Sequence, residues 1–324
     1  MAVTTPPVVA LAGGVGGAKL SYGLYHELPH GGLSVVINTA DDVEMLGLHI
    51  SPDLDTALYT LAGLVNPAMG WGLAGDTFTA LEMLGRYGHP TWFGLGDRDL
   101  ATHLTRTDLL RQGHTLTEAT AHLVTALGVH ARLLPMCDQP VEMRVRTADA
   151  VLPFQEYFVR RRAADPVVGV ELVGIEAARV PEAVHAALRA APAVVLCPSN
   201  PIVSIGPILA VPGMRELLAS LSAPRIAISP IVGGDAVSGP AGRMLRGLGY
   251  ECSARGVARL YAGLITHFVI DQADAALAPQ IEGELGLTVL VAPTLINTPA
   301  EKRALARYGL ASVGVQVDGD AGGA

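Results

Sequence analysis

Four glycines in five residues, Gly13-Gly14-Val15-Gly16-Gly17, follow an apolar run from Val8 to Ala12 and lead into a helical pattern. A strand that turns straight into a helix aims several backbone N–H groups and the positive end of the helix at one point, which is the chemistry of anion binding. The spacing is not the G-x-G-x-x-G dinucleotide fingerprint. Nor is it a P-loop, because Lys19 follows Ala18 and precedes Leu20 where that motif needs Gly-Lys-Ser/Thr. Gly13, Gly14, Gly16 and Gly17 are candidate phosphate contacts, with a purely structural turn as the alternative.

The next strand ends in Asn38-Thr39-Ala40-Asp41-Asp42, placing two adjacent carboxylates at the carboxyl edge of the same sheet. One acid there would grip a ribose in a nicotinamide enzyme. Near bound phosphates, Asp41 and Asp42 would hold Mg²⁺, which prefers oxygen ligands, and a plain helix N-terminal turn is the third reading. In Ser51-Pro52-Asp53-Leu54-Asp55-Thr56, Asp53 is a conventional helix cap and leaves Asp55 free to point to that edge. The run Gly94-Leu95-Gly96-Asp97-Arg98-Asp99 puts both signs of charge at another strand end, where they either serve a ligand or pair with each other.

Two further loops follow buried-type strands: Cys197-Pro198-Ser199-Asn200-Pro201 and Ser229-Pro230-Ile231-Val232-Gly233-Gly234. Their prolines stiffen the backbone, so that Ser199, Asn200 and the Gly233 amide could recognise a base, ribose or phosphate. No G-x-S-x-G elbow, HExxH or Cys-centred pattern is present, so covalent catalysis is not indicated. His103 and His114 are expected on solvent or polar helix faces.

The elements that must position these residues alternate in type. Strands are expected at 7–12, 33–39, 91–95, 131–136, 167–173, 193–197, 225–229, 266–270 and 287–292. Helices are expected at 18–28, 54–65, 77–87, 116–127, 181–190, 212–221, 254–264, 274–284 and 299–308. This is the pattern of an α/β fold, a parallel sheet with helices on both faces. The stretch 137–175 breaks it with alternating and aromatic-basic segments, and reads as a small antiparallel insertion inside one continuous core formed by 1–136 and 176–314. Residues 315–324 are expected to fray.

With 324 residues, half of them hydrophobic, the chain can bury its own core without metals or disulfides. A formal charge of −8 argues against binding to nucleic acid or an anionic membrane, and confines phosphate binding to a local site. Cys137, Cys197 and Cys252 lie far apart with no CxxC, which fits a reducing cytoplasm better than a disulfide framework or a zinc site. The glycines break the N-terminal apolar run before it could make a signal peptide or a membrane span.

Taken together, GGVGGAKL from Gly13, NTADD from Asn38, SPDLDT from Ser51, GDRDLATH from Gly96 and PSNPIVSIGPI from Pro198 resemble the CofD family, from the first strand to about residue 295. That resemblance implies a Rossmann-like fold and a transferase of coenzyme F420 biosynthesis. The donor it implies is a guanosine diphosphate ester of lactate or enolpyruvate, and the acceptor is the terminal hydroxyl of the deazaflavin Fo. GMP leaves and Mg²⁺ is required. In these terms Asp41 and Asp42 hold the metal or polarise the hydroxyl, Asp55 contacts Fo, and Asp42 and Asp55 are the candidate catalytic residues. The glycine loop and the Ser199-Asn200 loop then hold phosphates and nucleotide, with Gly233 alongside.

One departure is visible: some archaeal members carry a lysine before LGDRD, where this chain has Gly94, so an Fo contact there is made by backbone. Two rival functions remain at this stage, a YvcK-like nucleotide-sugar-binding regulator without catalysis and an NAD(P)-dependent oxidoreductase. Analogy alone suggests a homodimer.

Overall fold

The computed structural model describes residues 6–317. Seven short apolar runs form its main sheet: β1 (Val8–Ala12), β2 (Leu33–Ile37), β3 (Arg132–Pro135), β4 (Val194–Leu196), β5 (Arg225–Ile228), β6 (His267–Ile270) and β7 (Thr288–Val291). Every pairing is parallel, and the spatial order is β7-β6-β5-β4-β1-β2-β3. Read from β3, this is the doubly wound Rossmann order with one strand added. Its direction of winding reverses between β1 and β4, and ligands collect at such a switch point. The expected Rossmann-like sheet with helices on both faces is what the chain forms.

The runs are mostly apolar because both sheet faces are covered. Val9 and Leu11 face one layer with Ile205, Met214 and Leu245. Val8, Ala10 and Ala12 face the other, with Leu20 and Leu24 of helix α1 (Gly14–Glu27) and Leu58 of α2 (Pro52–Leu61). The C-terminal helix α4 (Pro299–Ser312) crosses α1 so closely that Gly23 meets the Lys302 carbonyl with no room for a Cβ. There the fully buried Glu27 carboxylate accepts from Arg303 Nε at 2.6 Å and Arg307 Nε at 2.8 Å.

Several elements differ from the sequence reading, among them short helices at Ile205–Ala210 and Ala241–Gly247 that it did not include. No strand forms at 91–95, although Trp92 and Phe93 favour strands: the segment pairs with neither edge of the sheet, and Phe93 lines the cavity instead. A helix not expected at all, α3 (Asp99–Arg111), follows instead. Between β2 and α2 the chain makes a ribbon, Val43–Met45 against Leu48–Ile50, closed by Leu46 at φ 53° and Gly47 at φ 74°. A two-residue turn with both φ values positive matches the strand twist.

The insertion contains a three-stranded antiparallel sheet in which Glu142–Arg146 lies between Val151–Pro153 and Gly169–Val173. Of the tail expected to fray, residues 318–324 lie outside the described residues, while Val315 and Val317 pack against the α1 side of the core.

Candidate functional site

A cavity of about 710 Å³ opens at the carboxyl ends of β1, β2 and β4, within the size range of small-molecule sites. The glycine turn forms its floor. Gly14 adopts φ 62° and starts α1. A Cβ on Gly16 would stand 2.5 Å from the Pro198 carbonyl, and one on Gly17 2.6 Å from Ser199 Oγ. The loop after β4 therefore packs directly on the turn, and the Gly13 amide donates to Ser199 Oγ at 3.1 Å.

Acidic groups crowd one wall. Asn38, at the end of β2, donates from its single amide nitrogen to Asp41 Oδ1 and to Asp53 Oδ2, each at 3.0 Å. Asp53 Oδ1 accepts from the Gly14 amide at 2.7 Å. Asp53 is therefore not the cap of its own helix, whose first residue is Pro52; it ties α2 to the start of α1. Burial pushes the Asp53 carboxyl up to about 6 against the hydrogen bonds from Asn38 and Gly14. Burial, and then the charges of Asp53 and Asp42, hold Asp41 well above the ordinary carboxylate range.

A second cluster adjoins the first. Asp55 is gripped by both terminal nitrogens of Arg106, and both residues are buried. His103 lies between the carboxylates, with Nδ1 3.6 Å from Asp55 Oδ2 and Nε2 3.3 Å from Asp99 Oδ2. The Tyr59 hydroxyl donates to Asp99 Oδ1 at 2.6 Å. Burial works to raise the Asp99 pKa, but the hydrogen bonds from His103 and Tyr59 outweigh it and leave the carboxyl below its ordinary value.

Ligand atoms of Asp55, Asp99 and His103 lie within 4.8 Å of one another, a cluster that could hold a metal ion. Its donor set includes an imidazole nitrogen, and Asp55 is already occupied by Arg106. The Asp41–Asp53 pair offers only oxygen and has only neutral donors, Asn38 shared by both, the Gly14 amide on Asp53 and Gln155 on Asp41, and so suits a hard divalent cation better.

Two further walls are largely aromatic and apolar. Trp71, Phe93 and Gly94 line one side; Phe154, Gln155 and Phe158 of the insertion line another, with the two phenylalanine rings stacked at 5.4 Å. Gln155 Nε2 donates to the Asp41 carbonyl at 2.9 Å and fixes the insertion against the acidic wall.

Of the residues to which the sequence reading gave a binding, metal or catalytic role, Gly13, Gly14, Gly16, Asp41, Asp55, Gly94, Ser199 and Asn200 share this cavity. Three are not among its lining. Gly17 packs beneath the turn, and the Gly233 amide donates to Asp274 at 3.0 Å. The Asp42 carboxylate turns to Ser51 Oγ at 2.7 Å and His49 Nε2 at 2.9 Å.

His103 is not on a polar surface: it is 1% exposed and lines the cavity. One signal could have found it. Asp99, His103 and Arg106 are spaced four and three apart, a single stripe on a helix. Phe154 and Trp71 carry no such signal, since only tertiary packing brings them here.

Comparison with known proteins follows the same lines. A family model described as 2-phospho-L-lactate transferase CofD matches residues 8–284. A phosphoenolpyruvate transferase of Streptomyces griseus is 41% identical over 309 residues, covering 94% of this chain and 97% of its own. A 2-phospho-L-lactate transferase of Methanosarcina acetivorans is 42% identical over 301 residues, covering 93% and 97%. The crystal structure of a UPF0052 family member from Bacillus halodurans, 15% identical with a TM-score of 0.61, covers 95% of this chain and 99% of its own, and shares the fold. Among the described residues no helix is long and apolar enough to cross a membrane. With its motifs gathered at one switch point and relatives this similar over nearly their whole length, the chain belongs to the CofD family.

Proposed function

We propose that the chain transfers a phospholactyl or phosphoenolpyruvyl group from a guanosine diphosphate ester to the terminal hydroxyl of Fo, a cytoplasmic step in making coenzyme F420. The hydroxyl oxygen bonds to the donor's β-phosphorus as the bond from that phosphorus to the bridging oxygen breaks. GMP leaves with the electron pair, and the hydroxyl proton is released. Such a transfer needs alignment and charge stabilisation more than covalent help.

The observation that carries this reading is the joining, in one cavity, of a glycine-turn helix start, a buried carboxylate pair and flat aromatic walls. The first suits a diphosphate, the second a cation and the third a planar ring. Asp41 and Asp53 would hold Mg²⁺, which supplies positive charge to the phosphoryl oxygens when bound. Asp42 braces that wall from behind through Ser51 and His49. Asp55, fixed by Arg106, faces the acceptor's hydroxyl chain, and Gly94 adds no side chain to the space beside Trp71, where a ring would lie.

Both transferase names among the relatives fit this reading, and neither selects the three-carbon acid. The test is to incubate the protein with Mg²⁺, Fo and each guanosine donor separately, and to weigh the product by mass spectrometry. Formation of one Fo phosphodiester with release of GMP is expected. Absence of product with both donors overturns the reading. The homodimer belongs to the same proposal and is checked by light scattering.

A further inference from the structure

The cavity is short of positive charge. Its lining carries four carboxylates, from Asp41, Asp53, Asp55 and Asp99, and among the described residues Lys19 is the only lysine or arginine that reaches it. Arg106 stands behind Asp55 with both terminal nitrogens committed to that carboxylate. A diphosphate entering this space meets like charge, so its oxygens need a cation besides any divalent ion.

The backbone donors are also partly taken. The first turn of a helix leaves its amides without intrahelical acceptors, but here the Gly14 amide is held by Asp53 and the Gly13 amide just before it by Ser199. Val15 and Gly16 remain on the cavity side. Lys19 is four residues after Val15 on α1, hence on the same face one turn further on. Its Nζ donates to Asn297 Oδ1 at 3.2 Å, and Asn297 lies in the loop between β7 and α4 that also lines the cavity. The side chain is thus steered along the wall, with two of its three ammonium protons left for other acceptors.

Composition makes the position unusual. The chain has 22 basic residues, and Lys19 and Lys302 are its two lysines. A lysine presents a compact point charge to a single oxygen, whereas the arginine used elsewhere presents a planar fork.

We infer that Lys19 is a substrate-contacting residue, its ammonium binding a phosphate oxygen of the nucleotide diphosphate donor at the mouth of the glycine turn, with Asn297 holding it in register. The inference rests on the nucleotide reading of the cavity. Lys19 then keeps its contact as charge moves onto the departing nucleotide, so it serves binding and turnover together.

The test compares the full-length wild type with K19M, K19R and N297A. GDP binding is measured by calorimetry in the presence of Mg²⁺, and Fo binding by fluorescence. K19M is expected to weaken GDP by about ten- to thirtyfold, the loss of one charge-assisted hydrogen bond, while Fo affinity stays within about twofold. K19R should recover part of the GDP affinity, and N297A should lose less than K19M. GDP affinity unchanged in K19M overturns the assignment, as does an equal loss of GDP and Fo, which would mean general disruption of the site. A wild type that binds no GDP refutes instead the nucleotide reading beneath it, and the Lys19 contact falls with that reading.

Discussion

Arg106 and Asp55 stand on different helices, 51 positions apart in the chain, yet the guanidinium of one clasps the carboxylate of the other at the inner edge of the cavity. Arg106 is 1% exposed and Asp55 5%. Removing one member of such a pair leaves a buried charge uncompensated. Arg106→Met should cost roughly 3–5 kcal/mol in chemical denaturation. Arg106→Lys keeps the charge but not the fork, and should restore part of the stability while leaving turnover impaired, because Asp55 is no longer held from two sides. If Arg106→Lys matches wild type in both measurements, the bidentate clasp has no role beyond its charge.

The acidic wall predicts opposite effects on stability and activity. Asp41 is buried beside Asp53, and both carboxylates draw on the single Asn38 amide nitrogen. Asp41→Asn removes like-charge repulsion, so the thermal midpoint should hold or rise. Product formation should fall about a hundredfold, as when a group facing the developing charge is lost. A lower midpoint together with normal turnover would contradict the placement of the cation there.

Two glycines of the turn should respond differently to the same added methyl. Gly16→Ala sets a Cβ against the Pro198 carbonyl, and the overpacking should cost about 1–3 kcal/mol and displace the Ser199 loop. Gly14→Ala meets open space but sits at φ 62°, so its cost is backbone strain alone, roughly 1–2 kcal/mol. Denaturation should show both penalties. Nucleotide affinity should fall much further for Gly16→Ala, and equal affinities would argue that the loop does not shape the pocket.

At the far side of the cavity, Asp271 accepts from the Thr294 amide at 2.8 Å and anchors the loop that carries Asn297. Burial works to raise its pKa, but the hydrogen bonds from Ala273 and Thr294 prevail and hold it below the ordinary carboxylate value. Because the folded-state pKa is lowered, the stabilisation is present above the unfolded value near 3.9 and disappears as pH falls through the folded one. Asp271→Asn should therefore be less stable than wild type at neutral pH, with the gap closing in acid. A gap independent of pH would show that the hydrogen bonds matter and the charge does not.

How much of this was legible in the sequence depends on how local each cause is. The run Val8–Ala12 into Gly13 announces strand, turn and helix within a dozen residues, and such short-range signals place most of the main sheet. The helix expected at 116–127 forms at Leu116–Ala126, opened by a capping box between Thr115 and Glu118. Trp92 and Phe93 misled because strand propensity yields to tertiary context, and Phe93 lines the cavity instead. Asp53 misled in another way: its position fits a helix cap, but its partner is the Gly14 amide, 39 residues earlier. His103 was misplaced on a polar helix face and Arg106 went unread, since their burial is decided by Asp55 on another helix.

The clasp between the Gly13 amide and Ser199 Oγ joins points 186 residues apart, just past the ends of the two strands that flank the reversal of winding. A ribosome releasing this chain therefore delivers the turn long before the loop that roofs it. Until β4 slots in beside β1, the nascent polypeptide has acids and amides but no enclosed chamber, so ligand capture awaits synthesis of the second half. Any fragment ending short of Ser199 would carry the motif and lack the site.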